Sequence, residues 1–154
     1  MSRAERAKEY FKAGYNCSQA VALAFADLMD VDEKTIAKLT QPFGGGMSRL
    51  RLTCGAISGM ATVVGAIFGD AELTIDGKKN TYTIVQTLCD EFKKECGSLI
   101  CGELLTGANV KAEIGGEAEK RTSEYYKKRP CAELVYTAAR ILETFLERKP
   151  HLSE

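Results

Sequence analysis

Residues 41–70, QPFGGGMSRLRLTCGAISGMATVVGAIFGD, govern the predicted fold. Within them, residues 54–68 contain no Asp, Glu, Lys or Arg. A helix can do without charges only where it has no face in water, so these residues predict a Gly/Ala-rich central helix that is buried on most sides. Thr53 is placed to cap this helix, which would put the Cys54 thiol at its first position, near the positive end of the helix dipole.

Three consecutive glycines, Gly44, Gly45 and Gly46, precede the central helix. No GK[ST] follows them, so they do not form a Walker loop and we expect no nucleotide cofactor. Their expected roles are a turn with positive φ, or backbone N–H groups donated to a thiolate or to a cluster sulfur. Together with Gly55 they are the predicted cofactor-binding glycines.

Two arginines, Arg49 and Arg51, lie between this glycine loop and Cys54. They would either stabilise negative charge near the cysteine or remain solvated loop charges. The sequence leaves both alternatives open.

The composition predicts one globular domain spanning residues 1–154. The chain is 45% hydrophobic, which is enough for one core, and its 21 basic and 21 acidic residues argue against a nucleic-acid partner. Residues 1–14 are charged and amphipathic, unlike a signal peptide, so we expect a cytoplasmic protein. The uncharged stretch 52–69 is rich in Gly, Ser and Thr, and we therefore expect no membrane-embedded segment.

Helix caps, apolar spacing and helix-ending glycines predict an all-α single-domain bundle of about six or seven helices around the central helix. Outside the central helix, helical segments are predicted at residues 2–13, 17–29, 33–41, 80–95, 99–105, 117–128 and from 130 onward. Asp76-Gly77 predicts a tight turn, and the tail from about residue 149 is predicted to be disordered. The segment that starts at Cys17 is expected to pack inward through Val21, Ala24 and Leu28.

Six cysteines are an unusual number for a cytoplasmic chain of this length. In a reducing compartment cysteines are more often metal ligands or redox-active groups than permanent cross-links, although free cysteines also serve as small core residues. For Cys89, in the middle of a predicted helix, we favour the core interpretation. The role of Cys96 stays open, because it is close enough in sequence to meet Cys101.

The other four cysteines share a predicted position at or near a helix start: Cys17, Cys54, Cys101 and Cys131. Helix N-termini favour negative charge and lower thiol pKa values. If the four segments converge, they form a pocket suited to an iron–sulfur cluster, a zinc ion or reversible disulfides. The spacings contain no CxxC signature that would distinguish these alternatives.

The single histidine, His151, lies in the tail. A Cys–His nucleophilic pair is therefore not expected. A haem is not expected either, because the chain lacks both CxxCH and an obvious axial imidazole.

The cysteine pattern resembles a known family. GYNCSQAV around Cys17, CGAISG from Cys54, GSLICGEL around Cys101 and PCAELV around Cys131 are similar to the C_GCAxxG_C_C family, whose members are described as small redox-active proteins. The resemblance implies that these four cysteines are the family cysteines. It implies a class of function and a set of residues, and it does not imply a particular reaction.

Three hypotheses of function follow. The first is a redox-active protein whose four cysteines hold an iron–sulfur or zinc centre for electron transfer or sensing, with an unidentified redox partner. The second is a thiol–disulfide oxidoreductase that uses the same cysteines. The third is a helical binding or assembly module with structural cysteines, in which small residues at Ser58, Ala61 and Gly65 form a groove for a partner helix, for example in a homodimer.

Overall fold

The computed structural model describes residues 1–148 and is an all-α, single-domain bundle, as predicted. Its helices are α1 (Arg3–Lys12), α2 (Cys17–Leu23), α3 (Glu33–Thr40), α4 (Gly44–Met47), α5 (Gly55–Phe68), α6 (Ile75–Cys96), α7 (Cys101–Gly107), α8 (Ser123–Lys128) and α9 (Cys131–Arg148). The short α4 is not a regular α-helix, because Gly45, Gly46 and Met47 have positive φ. Two short 3₁₀ turns, Ala26–Leu28 and Gln41–Phe43, flank α3.

The predicted central helix is α5, which packs against α2, α6 and α9. Its first half is almost entirely buried, whereas Gly65 near its end is exposed. Glycines allow α2 to approach closely: a Cβ atom on Gly59 would lie 2.5 Å from the Ser18 carbonyl oxygen, and one on Gly55 would lie 3.2 Å from the Cys17 Cβ atom. The close helix contact therefore runs through Gly55 and Gly59. The predicted groove positions Ser58 and Ala61 lie beside it and are only partly buried.

The start of α2 is fixed by a capping box. The Asn16 side chain accepts from the Gln19 N–H, and the Gln19 side chain accepts from the Asn16 N–H. The helix then ends at Leu23, six residues earlier than predicted, and a 3₁₀ turn follows. As a result Leu28 is 40% exposed, so its predicted inward position is wrong.

Several other predicted boundaries are wrong. Thr74 caps α6, so Asp76 and Gly77 lie inside its first turn and do not form a separate tight turn. The predicted helix at residues 117–128 is helical only over α8, whose N-cap is Thr122. The predicted disordered tail lies outside the described residues.

Within residues 1–148, no helix is long and apolar enough to cross a membrane.

Candidate functional site

Four separate segments bring cysteines to one cavity of about 480 Å³. Cys17 begins α2, Cys54 immediately precedes α5, Cys101 begins α7 and Cys131 begins α9. All four line the cavity, and so do the predicted cofactor-binding glycines Gly44, Gly45, Gly46 and Gly55. The redox and metal-binding roles of the cysteines and the cofactor-binding role of the glycines remain predictions.

The glycine loop forms one wall of the cavity. Gly45 (φ 70°) and Gly46 (φ 68°) are left-handed, a conformation that costs glycine least. Their carbonyl oxygens accept from the backbone N–H groups of Arg51 and Leu52 at 3.2 and 2.9 Å. A Cβ atom on Gly46 would lie 2.6 Å from the Cys101 Cβ atom. The backbone of the loop therefore packs directly against Cys101, and a side chain at position 46 would collide with it.

A short backbone bridge joins the segments that carry Cys54 and Cys101. Thr53 and Ile100 pair as an isolated antiparallel bridge, so Thr53 does not cap α5 as predicted. On either side of it, the Cys54 N–H donates to Leu99 (2.8 Å) and the Cys101 N–H donates to Leu52 (2.6 Å). Cys54 is therefore the N-cap residue of α5, one position before the predicted one.

Four arginines and one glutamate also line the cavity. Arg51 is only 6% exposed; its Nε atom donates to the Glu113 carbonyl oxygen at 2.8 Å, and its Nη1 atom lies 3.7 Å from the Cys101 sulfur. The Nε atom of Arg49 donates to the Gly115 carbonyl oxygen. Both arginines therefore belong to the cavity wall, and Arg51 lies beside the Cys101 sulfur.

The other two arginines are held by the aromatic ring of Tyr125. The guanidinium groups of Arg121 and Arg129 lie 4.9 and 5.0 Å from its centroid. Arg121 also donates to the carbonyl oxygens of Phe11 and Tyr15, and Arg129 pairs with Glu119. Cation–π contacts and these partners fix two positive charges at the cavity wall.

Cys131 is the thiol that this environment activates. A side-chain hydrogen bond from Cys17, together with the positive charges of Arg129, Arg121 and Arg51, lowers the pKa of Cys131 to about 7 against the opposing effect of burial. The same hydrogen bond and burial raise the pKa of Cys17 well above its ordinary value. The pair therefore holds one proton on Cys17 while Cys131 ionises.

The remaining cavity thiols stay protonated at neutral pH. Burial raises the pKa of Cys54 to about 12, although the Ala56 and Ile57 N–H groups favour its thiolate. Burial also raises the pKa of Cys101, against the lowering effect of Arg51. The expectation that helix starts lower all four thiol pKa values is thus wrong for Cys17, Cys54 and Cys101. The cost of desolvating a buried thiolate is the largest cause for Cys54 and Cys101, whereas for Cys17 the hydrogen bond with Cys131 comes first and burial second.

The described part of the chain contains no group of three or more His, Cys, Asp and Glu side chains arranged to hold a metal ion. The four cysteines share a cavity, but as placed they are not grouped closely enough to hold a single metal ion such as zinc. Cys89 and Cys96, both on α6, do not line the cavity.

Sequence reasoning missed Arg121, Arg129 and Tyr125 as parts of the site. Arg129 could have been found, since it stands two residues before Cys131. Arg121 and Tyr125 carried no such signal. They lie in a charged segment typical of solvated surface. Contacts with Phe11, distant in the chain, bring them to the cavity: Tyr125 stacks on its ring and Arg121 donates to its carbonyl oxygen.

The comparisons with known proteins agree with this arrangement. A family model described as "Putative redox-active protein (C_GCAxxG_C_C)" matches residues 15–145, a segment that contains all four cavity cysteines. No curated protein and no solved structure matches the chain. Because the match covers most of the sequence, this chain belongs to the C_GCAxxG_C_C family.

Proposed function

We propose that this protein is a thiol–disulfide oxidoreductase in which Cys131 is the nucleophile and Cys17 is the resolving cysteine. The observation that carries the proposal is the meeting of Cys17 and Cys131, the first residues of α2 and α9, in one arginine-lined cavity. A two-step exchange needs one thiol with a lowered pKa, here Cys131, to attack the substrate. It also needs a second thiol that keeps its proton until the first step is complete, here Cys17.

In the first step the Cys131 thiolate attacks one sulfur of a small substrate disulfide. A mixed disulfide forms, the substrate S–S bond breaks, and the departing thiolate is protonated. In the second step Cys17 loses its proton and attacks the Cys131 sulfur. A Cys17–Cys131 disulfide forms and the second substrate thiol leaves, so that two protein thiols are oxidised and one substrate disulfide is reduced to two thiols.

The surrounding residues favour the first step. The guanidinium groups of Arg51, Arg121 and Arg129 stabilise the Cys131 thiolate before attack, and their positions are set by carbonyl oxygens and by the Tyr125 ring. Cys54 and Cys101 keep their protons at neutral pH, which leaves Cys131 as the attacking group. Cys131 is buried and Cys17 is only partly exposed, which limits access to small substrates.

A second candidate is an iron–sulfur or zinc centre held by Cys17, Cys54, Cys101 and Cys131. The observation that favours it is the arrival of four thiols from four segments at one cavity. Their present placement does not fit a metal ion, and the side chains would have to reorient on binding. A bound centre would supply one-electron transfer in the case of a cluster, or structural stabilisation in the case of zinc.

Thiol counting tests the proposal. Protein that has been fully reduced under anaerobic conditions is treated with hydroxyethyl disulfide, and its free thiols are titrated. We expect the loss of two thiols in the wild type and in the matched control Cys89→Ser. Cys17→Ser should instead stop at a mixed disulfide on Cys131, detected as added mass. An unchanged thiol count would refute the proposal.

The same preparation distinguishes the second candidate. After anaerobic reconstitution with iron and sulfide, or incubation with zinc, bound metal and visible absorbance are measured. The dithiol proposal predicts neither at a stoichiometric level. A stoichiometric metal content that disappears in Cys54→Ser and Cys101→Ser would favour the metal centre instead.

A further inference from the structure

We infer that the small disulfide reduced in the cysteine cavity is anionic and carries a carboxylate that binds at Arg51. This inference rests on the proposed function and names its substrate class. Three independent features of the cavity support it: its charge, an unpartnered guanidinium nitrogen and its volume.

The first feature is an excess of positive charge. Four arginines and one glutamate line the cavity, so its wall carries three positive charges more than negative ones. Arg49, Arg51 and Arg121 donate to backbone carbonyl oxygens, which are neutral. Ionisation of Cys131 offsets only one of these charges, and the remaining field favours an anion.

The second feature is the Nη2 atom of Arg51. It is buried and has no hydrogen-bond partner, in a residue that is only 6% exposed. A buried donor without an acceptor is costly, and a buried unpaired charge is more so. Its neighbour Nη1 lies 3.7 Å from the Cys101 sulfur, and Nε is already used by the Glu113 carbonyl oxygen. A carboxylate that arrives at the terminal nitrogens supplies the missing acceptor, because its two oxygens match the two terminal N–H groups.

The third feature is size. A cavity of about 480 Å³ lies within the range of roughly 300–1,000 Å³ that small-molecule sites occupy. It holds a disulfide with short arms, and it is too small for a folded protein substrate to enter. Arg51 and the Cys17–Cys131 pair line the same cavity, so one arm can lie on the arginine while the S–S bond lies beside Cys131.

The test uses three disulfides with the same two-carbon arms and different charge: dithiodipropionate (anionic), hydroxyethyl disulfide (neutral) and cystamine (cationic). The rate at which each modifies the reduced protein at neutral pH is divided by its rate with free dithiothreitol, an uncharged dithiol, which removes differences in intrinsic reactivity. We expect the corrected rate to be about tenfold higher for the anionic disulfide than for the neutral one, and lowest for cystamine.

Substitutions test whether the preference for the anionic disulfide depends on Arg51. Arg51→Gln should reduce the anionic preference severalfold, Arg51→Lys should retain part of it, and the exposed Arg6→Gln, outside the cavity, should leave it unchanged. The preference is a ratio of rates, so a change in the pKa of Cys131 cancels. If Arg51→Gln does not fold, ionic strength replaces it: added salt should slow the anionic disulfide and speed up cystamine in the wild type.

The outcomes separate the two proposals. Equal corrected rates for the three disulfides, with two thiols consumed each time, would overturn the anionic substrate and leave the oxidoreductase proposal standing. No reaction with any of the three, in protein whose Cys131 is a free thiol, would overturn the oxidoreductase proposal itself.

Discussion

Cys131 and Cys89 are both cysteines on long helices of the same bundle, but their surroundings differ. Cys131 lies at the start of α9 beside Cys17 and faces Arg51, Arg121 and Arg129. Cys89 lies in the middle of α6, where partial burial and the neighbouring Asp90 raise its pKa. Cys89 is the more accessible of the two, and Cys131 is the one prepared to ionise. We therefore predict that cysteine reactivity in this protein depends more on local charge and hydrogen bonding than on solvent exposure.

The largest expected effect is the loss of the reactive thiol. Reduced wild-type protein treated with a small alkylating reagent at pH 7 should show one thiol that reacts at least about tenfold faster than Cys89, because roughly half of Cys131 is thiolate there against about 3% for an ordinary cysteine. Cys131→Ser should abolish the fast phase, and Cys89→Ser should leave it intact. Peptide mapping by mass spectrometry identifies the labelled site, and fast labelling of Cys89 would contradict the comparison.

The second largest expected effect is a difference in how the alkylation rates of Cys131 and Cys89 depend on pH. The lowered pKa of Cys131 means that its rate rises as pH increases through about 7 and then levels off. The raised pKa of Cys89 means that its rate still rises above the ordinary thiol pKa of about 8.5. Site-resolved labelling across this range measures both curves, and coincident midpoints would show that the cavity does not activate Cys131.

A structural prediction concerns the glycine loop. Gly46→Ala adds a Cβ atom 2.6 Å from the Cys101 Cβ atom and 2.7 Å from the Leu52 nitrogen, at a φ of 68°. We expect it to lower the free energy of unfolding by about 2 kcal/mol or more. Gly107→Ala is the matched control, because a Cβ atom there meets nothing within 4 Å. Urea unfolding of both variants tests this, and equal stabilities would show that the loop does not pack tightly on Cys101.

The smallest expected effect comes from one arginine. Arg129→Gln removes the largest purely coulombic contribution that lowers the pKa of Cys131, so its labelling rate at pH 7 should fall a few-fold. Arg6→Gln, exposed on α1 and outside the cavity, should leave the rate unchanged. An unchanged rate in Arg129→Gln would assign the activation to Cys17 and the other arginines.

Much of the fold could be predicted from the sequence, because it depends on interactions between residues that are close in the chain. The uncharged stretch that became α5, and the cap at Asn16, each depend on residues close in sequence. The boundaries that failed depend on tertiary packing. Thr53 pairs with Ile100, distant in the chain, and this bridge takes it away from capping α5.

The site could be predicted only in part for the same reason. The helix starts identified which cysteines to examine, but their pKa values depend on how far each is buried and which charges face it. Burial of Cys54 outweighs its two backbone donors, and the charges that activate Cys131 include Arg121, ten residues earlier in the chain. Neither the burial of Cys54 nor the charges around Cys131 can be calculated from the spacing of residues in the sequence.

The central claim, that Cys17 and Cys131 act as one redox pair, is tested most directly by disulfide mapping. Reduced protein is oxidised with a limiting amount of a small disulfide, the remaining thiols are blocked, and the digested peptides are identified by mass spectrometry. The account predicts a single major cross-link between Cys17 and Cys131, with Cys54, Cys89, Cys96 and Cys101 recovered as blocked thiols. A dominant cross-link between any other two cysteines, or none, would contradict it.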